Sequence, residues 1–249
     1  MTPWPVANPW SAPVLYLEST TSTMEDAQSL DDRGFPSGTV IAAGFQERGR
    51  GRLAERVWSA EPGRNLLFTL LLDLEDGFPP QRLPLLAGLA LARTVEERFG
   101  LFCRIKWPND LLHEGRKVAG VLCLARSRPP HPARAFVGVG LNCNQLSFPP
   151  ELADRVRSLA GLLGREVALP ELLADILAAL KTSLDDEEWR AGLERRLYGI
   201  GRQALLKGDS GPPSAGTVRG VAEDGALLLE SAVGIRPFYS GELRFQTEA

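Results

Sequence analysis

The chain has 249 residues, of which 44% are hydrophobic and 24% charged, and it carries a formal net charge of −3. That length suits one large α/β domain with a small appendage, or two modest domains, and the composition is that of a soluble globular protein, not a disordered one. A net negative charge supplies no global field to draw the protein to DNA, RNA or an anionic membrane.

The opening MTPWPVANPWSAPVLYLE has neither a basic n-region nor an unbroken apolar core, so no signal peptide is expected. No apolar stretch reaches the roughly 20 residues that span a bilayer. Cys103, Cys123 and Cys143 are odd in number, widely spaced and set in apolar runs. They read as reduced core thiols of a cytoplasmic protein, without metal-ligand spacing.

In chain order, residues 1–13 read as an irregular arm rich in Pro and Trp, and 14–18 as a short first strand. The polar STTSTMEDAQSL supplies Ser/Thr caps ahead of a helix. GTVIAAGFQ, residues 38–46, is a β-branched, apolar strand, and NLLFTLLLDL, 65–74, is another. Residues 83–99 have apolar side chains at helical spacing with charge confined to the later turns, which predicts a helix packed on a sheet. Strands follow at 102–107, 110–113 and 117–125, broken by Pro-Asn-Asp and by the turn Glu114-Gly115-Arg116, and SRPPHPAR reads as a loop before a buried strand at 136–143. Two or three helices should fill 150–197. After about residue 199 the texture changes to short strands at 203–207, 216–222, 226–230, 235–239 and 242–245 between Gly/Pro/Asp turns, which suggests a small β-barrel.

Four stretches carry possible chemistry. QERGRGRLAERVW, residues 46–58, packs four arginines and two glycines into an otherwise acidic chain. It could be a solvated loop, a nucleic-acid contact or a loop that closes on a phosphate. Lys106-Trp107-Pro108-Asn109-Asp110 follows a buried strand, and its proline forces a turn that presents Asn109 and Asp110 at the strand end. Lys117 opens the apolar KVAGVLCLA, where Gly120 marks a close approach to the backbone, although a lysine at a strand mouth can simply snorkel. GVGLNCN places Gly138, Gly140, Asn142 and Asn144 on one strand and its exit, as local caps or as amides aimed at a ligand.

In sequence these stretches resemble the catalytic domain of the biotin protein ligases. The family pattern ST[NM]xxA, QxxGRGRxxRxW, KWPND, KxxGxL and GxGxNxN is met by Ser22-Thr23-Met24 with Ala27, by 46–58, by 106–110, by 117–122 and by 138–144. The resemblance implies an α+β fold: a mixed β-sheet flanked by helices, shared with lipoate ligases and class II aminoacyl-tRNA synthetases. A catalytic biotin/ATP-binding domain is expected over 14–198, with a small SH3-like β-barrel over 199–249. It also implies a two-step reaction: biotin and ATP form biotinyl-5′-AMP, and the biotinyl group passes to a lysine of a biotin carboxyl carrier protein domain.

By the same resemblance the catalytic residues are Lys117, Arg50 and Arg52. Biotin is held by Ser22, Thr23, Met24, Gln46, Gly49, Arg50, Gly51, Arg52, Lys117 and Gly120. ATP is held by Arg52, Arg56, Trp58, Lys106, Asn109, Lys117 and Asn142, with Arg56 reaching the phosphates and Trp58 a stacking platform for adenine. Magnesium rides on the triphosphate, so no protein metal site is expected. The arginine loop becomes a mobile lid that shields a reactive mixed anhydride from water. Two departures stand out. Three residues, Leu53-Ala54-Glu55, separate Arg52 from Arg56 where the commoner pattern has two. The catalytic motifs also begin by residue 22, which leaves no room for the N-terminal helix-turn-helix of the repressor-type members, so no specific DNA partner and no membrane are expected. The nearest alternatives are a lipoate or octanoyl ligase of the same fold, and a non-catalytic nucleotide-sensing or DNA-binding regulator.

Overall fold

The computed structural model describes residues 1–52, 58–208 and 211–245. Its larger part is a sheet built on one strand, β4 (Leu66–Asp73), whose residues are buried on both faces up to its last position. β1 (Thr2–Pro3), β2 (Val14–Leu17) and β3 (Val40–Ala43) lie to one side of it. To the other side lie β8 (His131–Leu141), β7 (Arg116–Arg128), β6 (Asp110–His113) and β5 (Arg104–Lys106), giving the order β1-β2-β3-β4-β8-β7-β6-β5. Only β2 and β3 run parallel; the other pairs are antiparallel.

An apolar strand covered on both faces needs a layer on each side, and the alternation along β4 sorts the two. Leu66, Phe68, Leu70 and Leu72 pack into the main core with α2 (Leu83–Phe99). α5 (Leu169–Leu184) packs on α2 in the same core. Leu71 turns to the other face and meets α1 (Thr23–Asp32) through Met24, Ala27 and Leu30. α2 stops at Gly100, whose φ of 68° is the left-handed C-cap that glycine adopts without a Cβ penalty. Between α3 (Pro150–Ala153), α4 (Leu159–Leu163) and α6 (Trp189–Glu194), the 150–197 segment holds one helix more than the upper expectation, because two of the four are a single turn or little more.

Two stretches differ from the sequence reading. The N-terminal arm contributes β1, which pairs antiparallel with β2 and sets Trp4 against Tyr16 with ring centroids 5.0 Å apart. The SRPPHPAR stretch is no open loop: β7 and β8 stay paired as far as Arg128 and His131. The charge that disguised these strand ends is what holds them. Arg126, Arg128 and Arg134 meet Asp31 and Asp32 of α1 and Asp73 of β4, and the Asp31 and Arg134 side chains are nearly inaccessible.

The C-terminal part is a five-stranded antiparallel sheet of order β12-β11-β10-β9-β13, formed by β9 (Gln203–Lys207), β10 (Ser214–Val221), β11 (Leu227–Ser231), β12 (Gly234–Phe238) and β13 (Glu242–Phe245). Its apolar residues share one continuous core with the larger sheet, since Val218, Leu227 and Phe245 join the cluster that holds Leu193, Leu197 and Trp107. Trp107 Nε1 donates to the Gly225 carbonyl at 3.2 Å across this seam. Cys103 and Cys143 are buried free thiols, and Cys123 is half-buried. Among the described residues no helix is long and apolar enough to cross a membrane.

Candidate active site

On the α1 side of the sheet the larger side chains give way to a trough. Gly120 of β7 lies opposite Gly140 of β8, and Gly138 lies opposite Thr69 of β4. Side chains from above occupy the room these glycines leave. A Cβ on Gly140 would fall 2.6 Å from Trp58 Cε2, and one on Gly138 would fall 2.9 Å from Met24 Cε. On Gly120 it would meet Lys117 Nζ at 3.0 Å and Trp58 Cζ3 at 3.1 Å. The free space that remains is about 60 Å³, room for about two waters.

One end of the trough is polar and closed. Ser22 sits at the N-cap position of α1 in extended backbone, yet its hydroxyl makes no capping bond and the residue lines the trough instead. Thr23 donates to Gln46 Oε1 twice, from its backbone N–H at 2.8 Å and from its hydroxyl at 3.0 Å. The Thr23 hydroxyl also meets the fully buried Thr69 hydroxyl at 2.9 Å. Backbone N–H groups can only donate, so the Gln46 carbonyl oxygen must face Thr23; its amide nitrogen lies near Gly49, 3.2 Å from where a Cβ on that glycine would fall, and Gln46 lines the trough.

The other end is cationic. Lys117 is the second residue of β7, and its backbone is tied on both sides to the 155–157 segment, N–H to the Arg155 carbonyl at 2.8 Å and carbonyl from the Arg157 N–H at 2.9 Å. Its ammonium lies 2.5 Å from Asp110 Oδ1 and 5.5 Å from the Trp58 ring centroid. The turn ahead of β6 grips β7: the Asn109 carbonyl accepts from the Val121 N–H at 2.9 Å, and Asn109 Nδ2 donates to the Val121 carbonyl at 2.8 Å. The Trp58 indole N–H is buried with no partner among the described residues, an unpaired donor of the kind that costs about 1–3 kcal/mol.

Of the arginine stretch, Arg50 and Arg52 line the trough while their guanidiniums are engaged with other groups. Arg50 pairs with Glu25 of α1, and Arg52 Nη2 donates to the Gly241 carbonyl of the C-terminal sheet at 2.8 Å. Two backbone bonds pinch the base of the loop, Trp58 N–H to the Gly49 carbonyl and Gly63 N–H to the Gly44 carbonyl.

Of the residues singled out from sequence, Ser22, Thr23, Met24, Gln46, Arg50, Gly51, Arg52, Trp58, Asn109, Lys117 and Gly120 come together along this trough. Gly49 does not line it and closes the loop base instead. Lys106 lies over the Phe245 ring at 5.7 Å. Asn142 is turned into the protein, where its amide donates to the Arg157 carbonyl at 3.2 Å. Arg56 lies outside the described residues. Sequence reasoning missed Thr69, although a lone hydroxyl inside NLLFTLLLDL was a visible signal, and it did not count Gly138 or Gly140 among the contact residues. Among the described residues no three His, Cys, Asp or Glu side chains gather as a metal site.

With this geometry in place, the comparisons with known proteins define the class. The family model described as Biotin/lipoate A/B protein ligase family matches residues 16–142, and a second, described as Biotin protein ligase C terminal domain, matches 199–243. The chain belongs to the biotin/lipoate A/B protein ligase family. It is 30% identical to the biotin–[acetyl-CoA-carboxylase] ligase of Paracoccus denitrificans, covering 92% of this chain and 99% of that protein. It is also 30% identical to the bifunctional ligase/repressor BirA of Bacillus subtilis, covering 92% of this chain and 73% of the relative. Among solved structures, the biotin protein ligase of Aquifex aeolicus in complex with biotin and ATP superposes with a TM-score of 0.82 at 28% identity, over 94% of this chain and 99% of that one.

Proposed function

We propose that this protein is a biotin protein ligase, which activates biotin with ATP to biotinyl-5′-AMP and transfers the biotinyl group to a specific lysine of a biotin carboxyl carrier protein domain. The observation that carries the reading is a single trough with two unlike ends. Uncharged hydroxyl and amide groups line one end, and a fixed lysine beside an arginine loop stands at the other. An apolar slot with a few convergent polar groups is the usual form of a small-molecule site. An acid whose head is a neutral hydrogen-bonding ring fits such a slot head first, which leaves its carboxylate near Lys117.

In the first half-reaction the carboxylate oxygen bonds to the α-phosphorus and pyrophosphate leaves. Two anions must approach, so catalysis has to neutralise charge and hold the reactants in line. Lys117 supplies a fixed cation for both, with Asp110 holding the ammonium in place. Arg50 and Arg52 leave Glu25 and Gly241 to close over the adenylate, Trp58 offers an aromatic face to the adenine, and Asn109 lies on the nucleotide side. Magnesium accompanies ATP on its phosphate oxygens. In the second half-reaction the acceptor amine bonds to the acyl carbon, AMP leaves and the amine loses a proton. The working compartment is the cytoplasm, and no specific DNA partner is involved.

The test is incubation with labelled biotin, ATP and a carrier domain, read by label on the carrier in a gel. Carrier labelling that needs both ATP and biotin is expected. Labelling by lipoate in place of biotin, or no pyrophosphate release with biotin and ATP, overturns the reading.

A further inference from the structure

We infer that Thr69 is a specificity-determining residue for the ring end of the substrate, acting through its buried hydroxyl; this rests on the biotin reading above. The hydrogen-bond directions are fixed by counting. Gln46 Oε1 already accepts two bonds from Thr23, one from the backbone N–H and one from the hydroxyl, which uses both of its lone pairs. A threonine hydroxyl has one proton, and that of Thr23 is spent on Gln46. The 2.9 Å contact between the two threonine hydroxyls must therefore be donated by Thr69. The result is an ordered relay, Thr69 O–H to Thr23 O–H to the Gln46 carbonyl.

The relay decides what the trough offers a ligand. Thr69 has no proton left to give, so toward the trough it is an acceptor. Gln46 has its carbonyl occupied, and among the described residues its NH₂ makes no hydrogen bond, so toward the trough it is a donor. Acceptor beside donor is complementary to a cyclic urea, which presents N–H donors next to a carbonyl acceptor. A dithiolane ring, with neither group, would leave both unpaired, and unpaired buried polar groups are what give such sites their discrimination. Thr69 is fully buried on β4, and its partner across the strands is Gly138. The end of the flexible Met24 side chain fills the room over that glycine, where a Cβ would lie 2.9 Å from Met24 Cε, so a ligand that moves this methyl group meets the Thr69 oxygen.

The experiment compares Thr69→Val, which keeps the shape and removes the hydroxyl, with Thr69→Ser, which keeps the hydroxyl and removes a methyl. Biotin affinity is measured by calorimetry without ATP, and kcat and KM are measured with ATP and a carrier domain. Thr69→Val should bind biotin about tenfold more weakly, the usual scale for one buried hydrogen bond. Its KM for biotin should rise in step, with kcat at saturating biotin and KM for ATP within about twofold of the parent, because the chemistry occurs at the other end of the ligand. Thr69→Ser should recover most of the lost affinity. If the valine variant does not fold, Thr69→Ala carries the same comparison. Parent-like biotin binding by Thr69→Val, or a serine variant as weak as the valine one, overturns the role of Thr69 while leaving the ligase reading intact. Absence of biotin binding by the parent itself overturns both.

Discussion

The floor of the trough and the loop above it solve opposite problems. The floor comes from β4, β7 and β8, whose glycines and buried hydroxyls are placed by cross-strand register and held by a shared core. Nothing in it has to move for a neutral ring to be recognised. The loop carries the charge, and Arg50 and Arg52, which line the trough, have their guanidiniums bound to Glu25 and to the Gly241 carbonyl. The Glu25 contact is an exposed ion pair, and such pairs are worth about 0–1 kcal/mol, so a phosphate can win that guanidinium at small cost; the Arg52 contact is a single hydrogen bond to a carbonyl with no net charge. Shape is therefore built into the sheet, while charge is held in reserve on a segment that can exchange partners.

Lys117 is where the two meet, because it stands on a floor strand yet carries the charge. Its replacement should have the largest effect. Losing a fixed electrostatic stabiliser typically costs on the order of 10²–10³ in rate, and Lys117→Ala should lose that much in adenylate formation, followed as pyrophosphate release. Biotin should still bind within a few fold, since the ring end is untouched. Near-parental adenylate formation would show that the loop alone neutralises the reacting anions.

The same division explains what could be read from the sequence. α2 and the strands β6, β9 and β13 were legible to the residue because their apolar periodicity is local and their ends are marked by turn residues. The ends of β7 and β8 were not, because Arg126, Arg128 and Arg134 look like a solvated loop until α1 brings Asp31 and Asp32 to them. At the site, motif residues on the trough were recognisable by resemblance, whereas Thr69 was hidden inside an apolar run. The orientation of Asn142 depends on the Arg157 carbonyl, fifteen positions on, and no local pattern encodes such a contact. Contacts between distant segments are what a linear reading lacks.

Arg52 tests the loop half of the comparison. If its guanidinium leaves Gly241 to hold the adenylate, Arg52→Gly loses a charge-assisted contact worth roughly 1.5–3 kcal/mol. Dissociation of the intermediate should then quicken by roughly ten- to a hundredfold. Released biotinyl-AMP remains an acyl donor, so the variant should biotinylate albumin in a mixture with ATP and biotin, while the parent labels only a carrier domain. A clean albumin lane, with adenylate still forming, would mean that the loop retains the intermediate by other groups.

The smallest effect expected is no effect, and it tests the floor. Cys103 and Cys143 are fully buried, and burial pushes both thiols up to about 12. At pH 8 such a thiol is about 10⁻⁴ ionised, against roughly a quarter for a free cysteine of pKa about 8.5. Since the thiolate is the reactive form, the native protein should react with iodoacetamide at these positions about a thousandfold more slowly than the unfolded chain. The linkage sign follows from the same shift. Above about pH 8.5 the unfolded chain releases these protons and the folded one keeps them, so stability should fall with rising pH, by about 1.4 kcal/mol per unit for each thiol, until the folded value near 12 is reached. Below about pH 7, where the unfolded thiols are protonated as well, they should contribute no slope. Addition of biotin and ATP should slow tryptic cleavage at Arg48, Arg50 and Arg52, because the loop closes, and should leave the alkylation rate of Cys143 unchanged, because the core beneath the trough does not open and close with the ligand. Mass spectrometry of both modifications in one sample reads loop and floor together. A ligand-dependent alkylation rate at Cys143 would show that the floor also moves, and that recognition of the ring is not preformed in the sheet.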